Sequence, residues 1–205
     1  MPQPIRQIAP GLVHWTARHP VIGADVSGYA LTEAGVLFDP LTPEDGLDWF
    51  ADHGVPVREI LLSNRHHLRH APAFAERYGC GIHASRPGMH EFAPQDGVVP
   101  FDFGQVLAGG VVAHEVAVIC PDETAFEVPD VRALVVADGV VNYAGGLQFV
   151  PDELLGDDPA AIRKGLLARY ARLAEEVDFD HLLCAHGDPV VATGRTALRD
   201  FVAGA

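Results

Sequence analysis

The segment Ile60-Leu61-Leu62-Ser63-Asn64-Arg65-His66-His67-Leu68-Arg69-His70 constrains this chain most, because a strand-like apolar run breaks abruptly into imidazoles and guanidiniums. Ile60 to Leu62 reads as a buried strand, and Ala71 to Tyr78 carries Phe74, Ala75 and Tyr78 at near-helical spacing. The polar group therefore falls on a strand-to-helix turn at the C-terminal end of a strand, where layered α/β proteins usually carry their chemistry. His66, His67 and His70 could serve there as metal ligands or acid–base groups. A solvated helix entrance would use the same residues for polarity alone.

Around this turn the chain runs through short apolar segments bounded by Gly and Pro. Gly11 to Thr16, Asp25 to Leu31 and Val36 to Phe38 have strand character and predict an antiparallel opening. Thr42-Pro43-Glu44-Asp45 predicts a helix start, with Leu47, Phe50 and Ala51 on its apolar face and Gly54 at its end. Gly81 to Ala84, Val111 to Val118, Ala125 to Val128 and Leu134 to Ala137 predict further strands, whereas Arg86 to Pro100 and Asn142 to Asp158 read as loops. Asp158-Pro159 opens a helix that places Ile162, Leu166, Tyr170, Leu173 and Val177 on one face. His181 to Ala185 reads as a last buried strand and Thr196 to Val202 as a terminal helix. Two mixed sheets packed face to face, with helices outside, would satisfy this order within a single domain spanning 1–205.

Charge narrows the partners. Asp and Glu number 28 against 14 Lys and Arg, and a net charge of −14 argues against nucleic acid or an anionic membrane surface. The expected partner is a small-molecule substrate. No apolar run approaches the roughly 20 residues needed to span a bilayer. Cys80, Cys120 and Cys184 are far apart and odd in number, which does not describe a disulfide framework, and the cytoplasm is the expected compartment.

Candidate ligands follow several strand ends: the group after Leu62, then Glu123, Asp138 and His186. In this order and spacing the chain resembles the metallo-β-lactamase superfamily, which is also the fold of hydroxyacylglutathione hydrolases, from about Gly11 onward. Asp39 matches the family's early Asp, and Cys120-Pro121-Asp122-Glu123-Thr124 falls where the family has Pro-Gly-His-Thr, so Glu123 stands in for a histidine. Ala137-Asp138-Gly139 matches the bridging aspartate and Ala185-His186-Gly187 the final histidine. The resemblance implies an α+β fold, a four-layer αβ/βα sandwich.

The family's central motif, His-x-His-x-Asp-His, is altered here. With Ser63 at the place of the family's Thr, the ligand positions become Asn64, His66, Leu68 and Arg69; with Asn64 there, they become Arg65, His67, Arg69 and His70. The second register is preferred because two ligands survive in it. On that register the resemblance implies one divalent ion, zinc first with manganese or iron as alternatives, held by His70, Asp138 and His186. His67 and Glu123 would assist, His66 would stand in reserve, and Asp39 would support the site through hydrogen bonds. Asp138 and Glu123 would then be the catalytic carboxylates in hydrolysis of an ester, thioester or amide. An alternative is a metal-free pocket in which Arg69 neutralises Asp138, Arg65 neutralises Glu123, and both arginines recognise an anionic ligand. A further alternative is a non-haem iron redox enzyme, by similarity to the superfamily's oxygen-handling branches.

Overall fold

Side chains that alternate along each apolar strand go to different layers, and this period of two builds the molecule. The structure, a computed structural model, describes residues 2–205. Strands β1 (Gln3–Ala9), β2 (Leu12–Arg18), β3 (Asp25–Leu31), β4 (Val36–Phe38), β5 (Glu59–Leu62), β6 (Gly81–Ser85) and β7 (Val98–Phe101) form one sheet in sequence order. Pairing is antiparallel from β1 to β4 and parallel from β4 to β7. Strands β8 (Val112–Glu115), β9 (Thr124–Val128) and β10 (Ala133–Val136) are antiparallel neighbours. After a small hairpin of β11 (Val141–Tyr143) and β12 (Gly146–Gln148), β13 (His181–Cys184) docks parallel to β10 and completes the second sheet. Helices α1 (Trp49–Asp52), α2 (Ala71–Tyr78), α3 (Pro159–Glu176) and α4 (Gly194–Gly204) cover the outer faces.

Neighbouring residues of one strand enter different cores. Leu12, Phe38 and Leu61 of the first sheet meet Phe126, Val135 and Leu183 of the second in a central layer. Val13, Leu37, Ile60 and Leu62 instead pack outward on Phe50 and Phe74 of α1 and α2. On the far side Leu134, Val136, Leu182 and Cys184 pack on Leu166, Tyr170 and Leu173 of α3 and on Leu198 of α4. The helical stripe read from the sequence is thus core packing, and the layers run helix, sheet, sheet, helix.

Several elements differ from the sequence reading. The helix expected from Thr42 is a single turn at Trp49–Asp52, because Gly46 takes a left-handed backbone (φ +82°) and closes a turn on the Pro43 carbonyl. The sequence pattern does not predict β1, whose exposure is mixed, as befits an edge, or β7, where Pro100 looks like a strand breaker; an edge strand tolerates it. Residues 142–158 are not a plain loop but contain β12 and most of β11. The strand expected over Val111–Val118 stops at Glu115, just before the left-handed Ala117 (φ +49°).

Cross-links between sheets set the strand ends beside one another. Ser27 N donates to the Ala185 carbonyl (2.9 Å), Thr124 N to the Ser63 carbonyl (2.8 Å), and the Tyr29 hydroxyl to the Cys184 carbonyl (2.7 Å). Beneath them His14 is fully buried, stacked on Tyr29 with ring centroids 4.9 Å apart, and its Nε2 lies 3.1 Å from Ser27 Oγ. Burial, helped by the charge of Arg6, lowers its pKa from 6.5 to about 4. The neutral ring therefore favours the fold above pH 6.5, and this contribution is lost as pH falls toward 4, amounting to about 3 kcal/mol. Urea titrations across that window should show a steep loss of stability in the parent and a shallower one in His14→Phe, which keeps the stack on Tyr29.

Candidate metal centre

Strands β4, β5, β10 and β13 all end at one edge of the sandwich, and the residues just past those ends form the site. After β4, Asp39 takes a left-handed backbone (φ +47°) and is 2% exposed. Its Oδ1 accepts from Ser63 N (2.8 Å), and its Oδ2 accepts from the Ser63 hydroxyl and from His67 Nδ1 (3.0 Å). After β5, Asn64 caps a single turn of 3₁₀ helix, Arg65–His67, by accepting from His66 N. The other end of the Asn64 amide donates to Asp138 Oδ2 (2.8 Å).

These bonds leave Asp138 Oδ1 facing two imidazoles. His67 Nε2 lies 3.3 Å and His186 Nε2 3.1 Å from that single oxygen. Among the described residues these three form the group whose donor atoms converge closely enough, within 4.8 Å of one another, to surround one ion. With Nδ1 of His67 held by Asp39, its Nε2 is the free donor, an arrangement that orients histidine ligands in metal sites. Two imidazole nitrogens can point at one carboxylate oxygen only if protons or a cation lie between them, so the donor set fits a divalent ion.

Electrostatics in the bare site agree. Burial lowers the His67 imidazole and the Arg69 charge lowers it further, but Asp138 and Asp39 outweigh both and raise its pKa to about 9. Asp138 is pulled well below the carboxylate range by His67 and His186 despite a burial effect in the other direction, and Asp39 is lowered in the same way by His67 and Arg69. Asp39, Asp138 and His67 are thus charged together, and a cation could enter by displacing the His67 proton.

Several residues named from the sequence lie elsewhere. His70 stands where α2 begins, and its Nδ1 lies 2.9 Å from Thr42 Oγ1 and accepts from Thr42 N (3.2 Å), so its ring is not in the group that converges on Asp138. His67 takes that place, because the turn of 3₁₀ helix and the left-handed Arg69 (φ +43°) rotate the chain away from the regular spacing that favoured His70. His66 is exposed on the wall of the adjoining cavity. Glu123 is fully buried and accepts from Gly139 N (2.8 Å) and Ile119 N (3.3 Å), which fixes the turn after Asp138 rather than reaching the centre. Burial and the Asp138 charge raise its pKa to about 7.

The arginines are also placed differently from expectation. Arg65 pairs with Asp122 (Nη1 to Oδ1, 2.7 Å), not Glu123. Arg69 Nη1 donates to the carbonyls of Ser27 (2.8 Å) and Asp39 (2.7 Å), and its Nη2 is buried without a hydrogen-bond partner among the described residues. Its charge lies near Asp39 and Asp138, although the bonds it makes are to main chain. Cys120 is buried and its thiol is pushed up by that burial and by Asp122 and Glu123, the opposite of an activated nucleophile. Ser63 and Asn64 also join the candidate site, through bonds to Asp39 and Asp138 that only the folded chain brings within reach.

Gly187 fixes the last donor. It has φ +84°, and a Cβ there would sit 1.8 Å from the Asn142 carbonyl oxygen, while Asn142 N donates to the His186 carbonyl (3.1 Å) and Ser27 Oγ to the Gly187 carbonyl (2.9 Å). Gly187→Ala should therefore cost at least about 2 kcal/mol in denaturant melts, since left-handed strain and a main-chain clash coincide.

No protein-family model matches the chain, and no curated protein matches it. Solved structures do. A metallo-β-lactamase from Pontibacter korlensis is 17% identical over 98% of this chain and 99% of its own, with a TM-score of 0.70. One from Pseudomonas aeruginosa, in its mono-zinc form, is 15% identical over 98% of this chain and 96% of its own, with a TM-score of 0.68. The rubredoxin:oxygen oxidoreductase of Desulfovibrio gigas is 15% identical over 97% of this chain but 61% of its own, with a TM-score of 0.67. Sandwich, strand order and structural likeness together show that this chain has the metallo-β-lactamase fold.

Proposed function

We propose that the protein is a mononuclear metallo-hydrolase acting on an ester, thioester or amide, with one divalent ion held by His67, Asp138 and His186. The observation that carries this reading is the convergence of two imidazole Nε2 atoms on one oxygen of Asp138. Three protein ligands with a fourth place open describe catalytic zinc, and a metal there supplies Lewis acidity and a hydrolytic water at neutral pH. Zinc is the first choice, with manganese or iron suited to the same nitrogen and oxygen donors. The mono-zinc form of the Pseudomonas aeruginosa structure supports a single ion in this fold.

The chain's own residues do the positioning. Asp39 and Ser63 hold Nδ1 of His67, so that its Nε2 is presented inward. Asn64 fixes Asp138 Oδ2 and leaves Oδ1 free to bind. Glu123 steadies Gly139 and hence the Asp138 turn, acting as a positioning residue rather than as a ligand. A second ion has few donors left, because Glu123 is turned toward main-chain amides and Asn64 replaces a ligand in one of the two motif registers.

The test is elemental content by plasma mass spectrometry, with turnover of simple esters and thioesters. Parent protein should carry close to one metal per chain, and His67→Ala and Asp138→Ala should carry almost none. His70→Ala should retain it; metal lost from His70→Ala but kept in His67→Ala would sink the assignment. Asp39→Asn should weaken metal affinity by about 10- to 100-fold, as loss of a ligand-orienting partner does. Iron with oxygen-dependent turnover would replace hydrolysis by the redox reading.

A further inference from the structure

We infer that the substrate carries an uncharged, apolar acyl or aryl group, held in the cavity that opens beside Asp138. This deepens the hydrolytic reading and rests on it. The cavity encloses 670 Å³, within the usual range for small-molecule sites. One side is the centre itself, His67, Asp138 and His186; much of the remainder is aliphatic, from Ile22, Val26, Ile119, Val150 and Leu154. Ile22 lies in the turn between β2 and β3, Val26 on β3, Ile119 between β8 and β9, and Val150 and Leu154 after β12, so separate segments meet around this space.

Two walls are incompletely covered in the free protein. Ile22 is 58% and Leu154 63% exposed, and Val21 beside Ile22 is 86% exposed. A scattered exposed aliphatic residue means little, but Ile22 and Leu154, from distant parts of the chain, face one opening lined by further aliphatic side chains, as in a ligand groove.

Charge recognition is weak in the same place. Among the described residues the one guanidinium lining the cavity is Arg69, and its Nη1 is committed to two main-chain carbonyls while its Nη2 is buried. Arg18, near the β2–β3 turn, faces Asp25, and Arg163 faces Asp152. A net charge of −14 disfavours approach by anions. Affinity must then come from apolar burial, which strengthens binding about threefold to fourfold for each added methylene.

The experiment is calorimetric binding of a neutral series, hexanamide to decanamide, to the purified protein, repeated after chelator treatment with octanoate alongside octanamide. The dissociation constant should fall about threefold per methylene until the cavity is filled, and metal-free protein should bind octanoate no tighter than octanamide. Ile22→Asp and Leu154→Asp, both at exposed positions where folding is little affected, should weaken decanamide about tenfold and leave hexanamide within about twofold. Affinity independent of chain length, or octanoate bound more tightly than octanamide without metal, would overturn the proposal. Length-dependent binding without ester turnover would refute the hydrolytic reading and leave the cavity assignment standing.

Discussion

The buried carboxylate of Asp39 is the interaction on which the rest of the site depends. Its amide donates to the Leu61 carbonyl, its two oxygens serve Ser63 and His67, and its own carbonyl accepts from Arg69. One residue thereby joins the ends of β4 and β5 to the turn that carries His67. Burying an ionised carboxylate costs several kcal/mol unless each lone pair is used. Here the hydroxyl, the amide and the imidazole use them, and the left-handed backbone at Asp39 is tolerated because that network over-determines it.

A guanidinium beneath two carboxylates gives the site its particular electrostatics. Arg69 offsets part of the negative charge of Asp39 and Asp138 while bonding to neither side chain, so Asp138 keeps one oxygen open toward His67 and His186. Arg65, by contrast, is consumed by Asp122 at a separate point of the same turn. Two arginines close in sequence therefore have different duties, one tuning the centre and one pinning the loop after β8.

Much of the fold was legible because β4, β5, β10 and β13 are near-continuous apolar runs, as strands buried on both faces must be, and their adjacent residues enter opposite layers. Asp39, Asp138 and His186 were legible for a related reason, since each follows an apolar run whose end must lie at the sandwich edge. His67 against His70 was not. Spacing arguments assume a regular backbone, and one turn of 3₁₀ helix followed by a left-handed arginine changes which ring faces inward. Glu123 was not legible for another reason: Gly139 N, one of the two amides that hold its carboxylate, lies beside it only after β9 and β10 have paired. Edge strands β1 and β7 were hidden by half-exposed residues and by Pro100, where local propensity carries little information.

Parallel docking of β13 on β10 brings His186 to a carboxylate whose other imidazole partner follows β5, so the donors come from distant parts of the chain. No fragment that lacks the last strand contains the site. During synthesis the centre cannot exist until β13 has emerged and taken its place, and a nascent chain holds His67 and Asp138 without the third donor. Whatever occupies all three residues then reports completion of the whole sandwich, and its binding energy is returned to the global fold rather than to one turn.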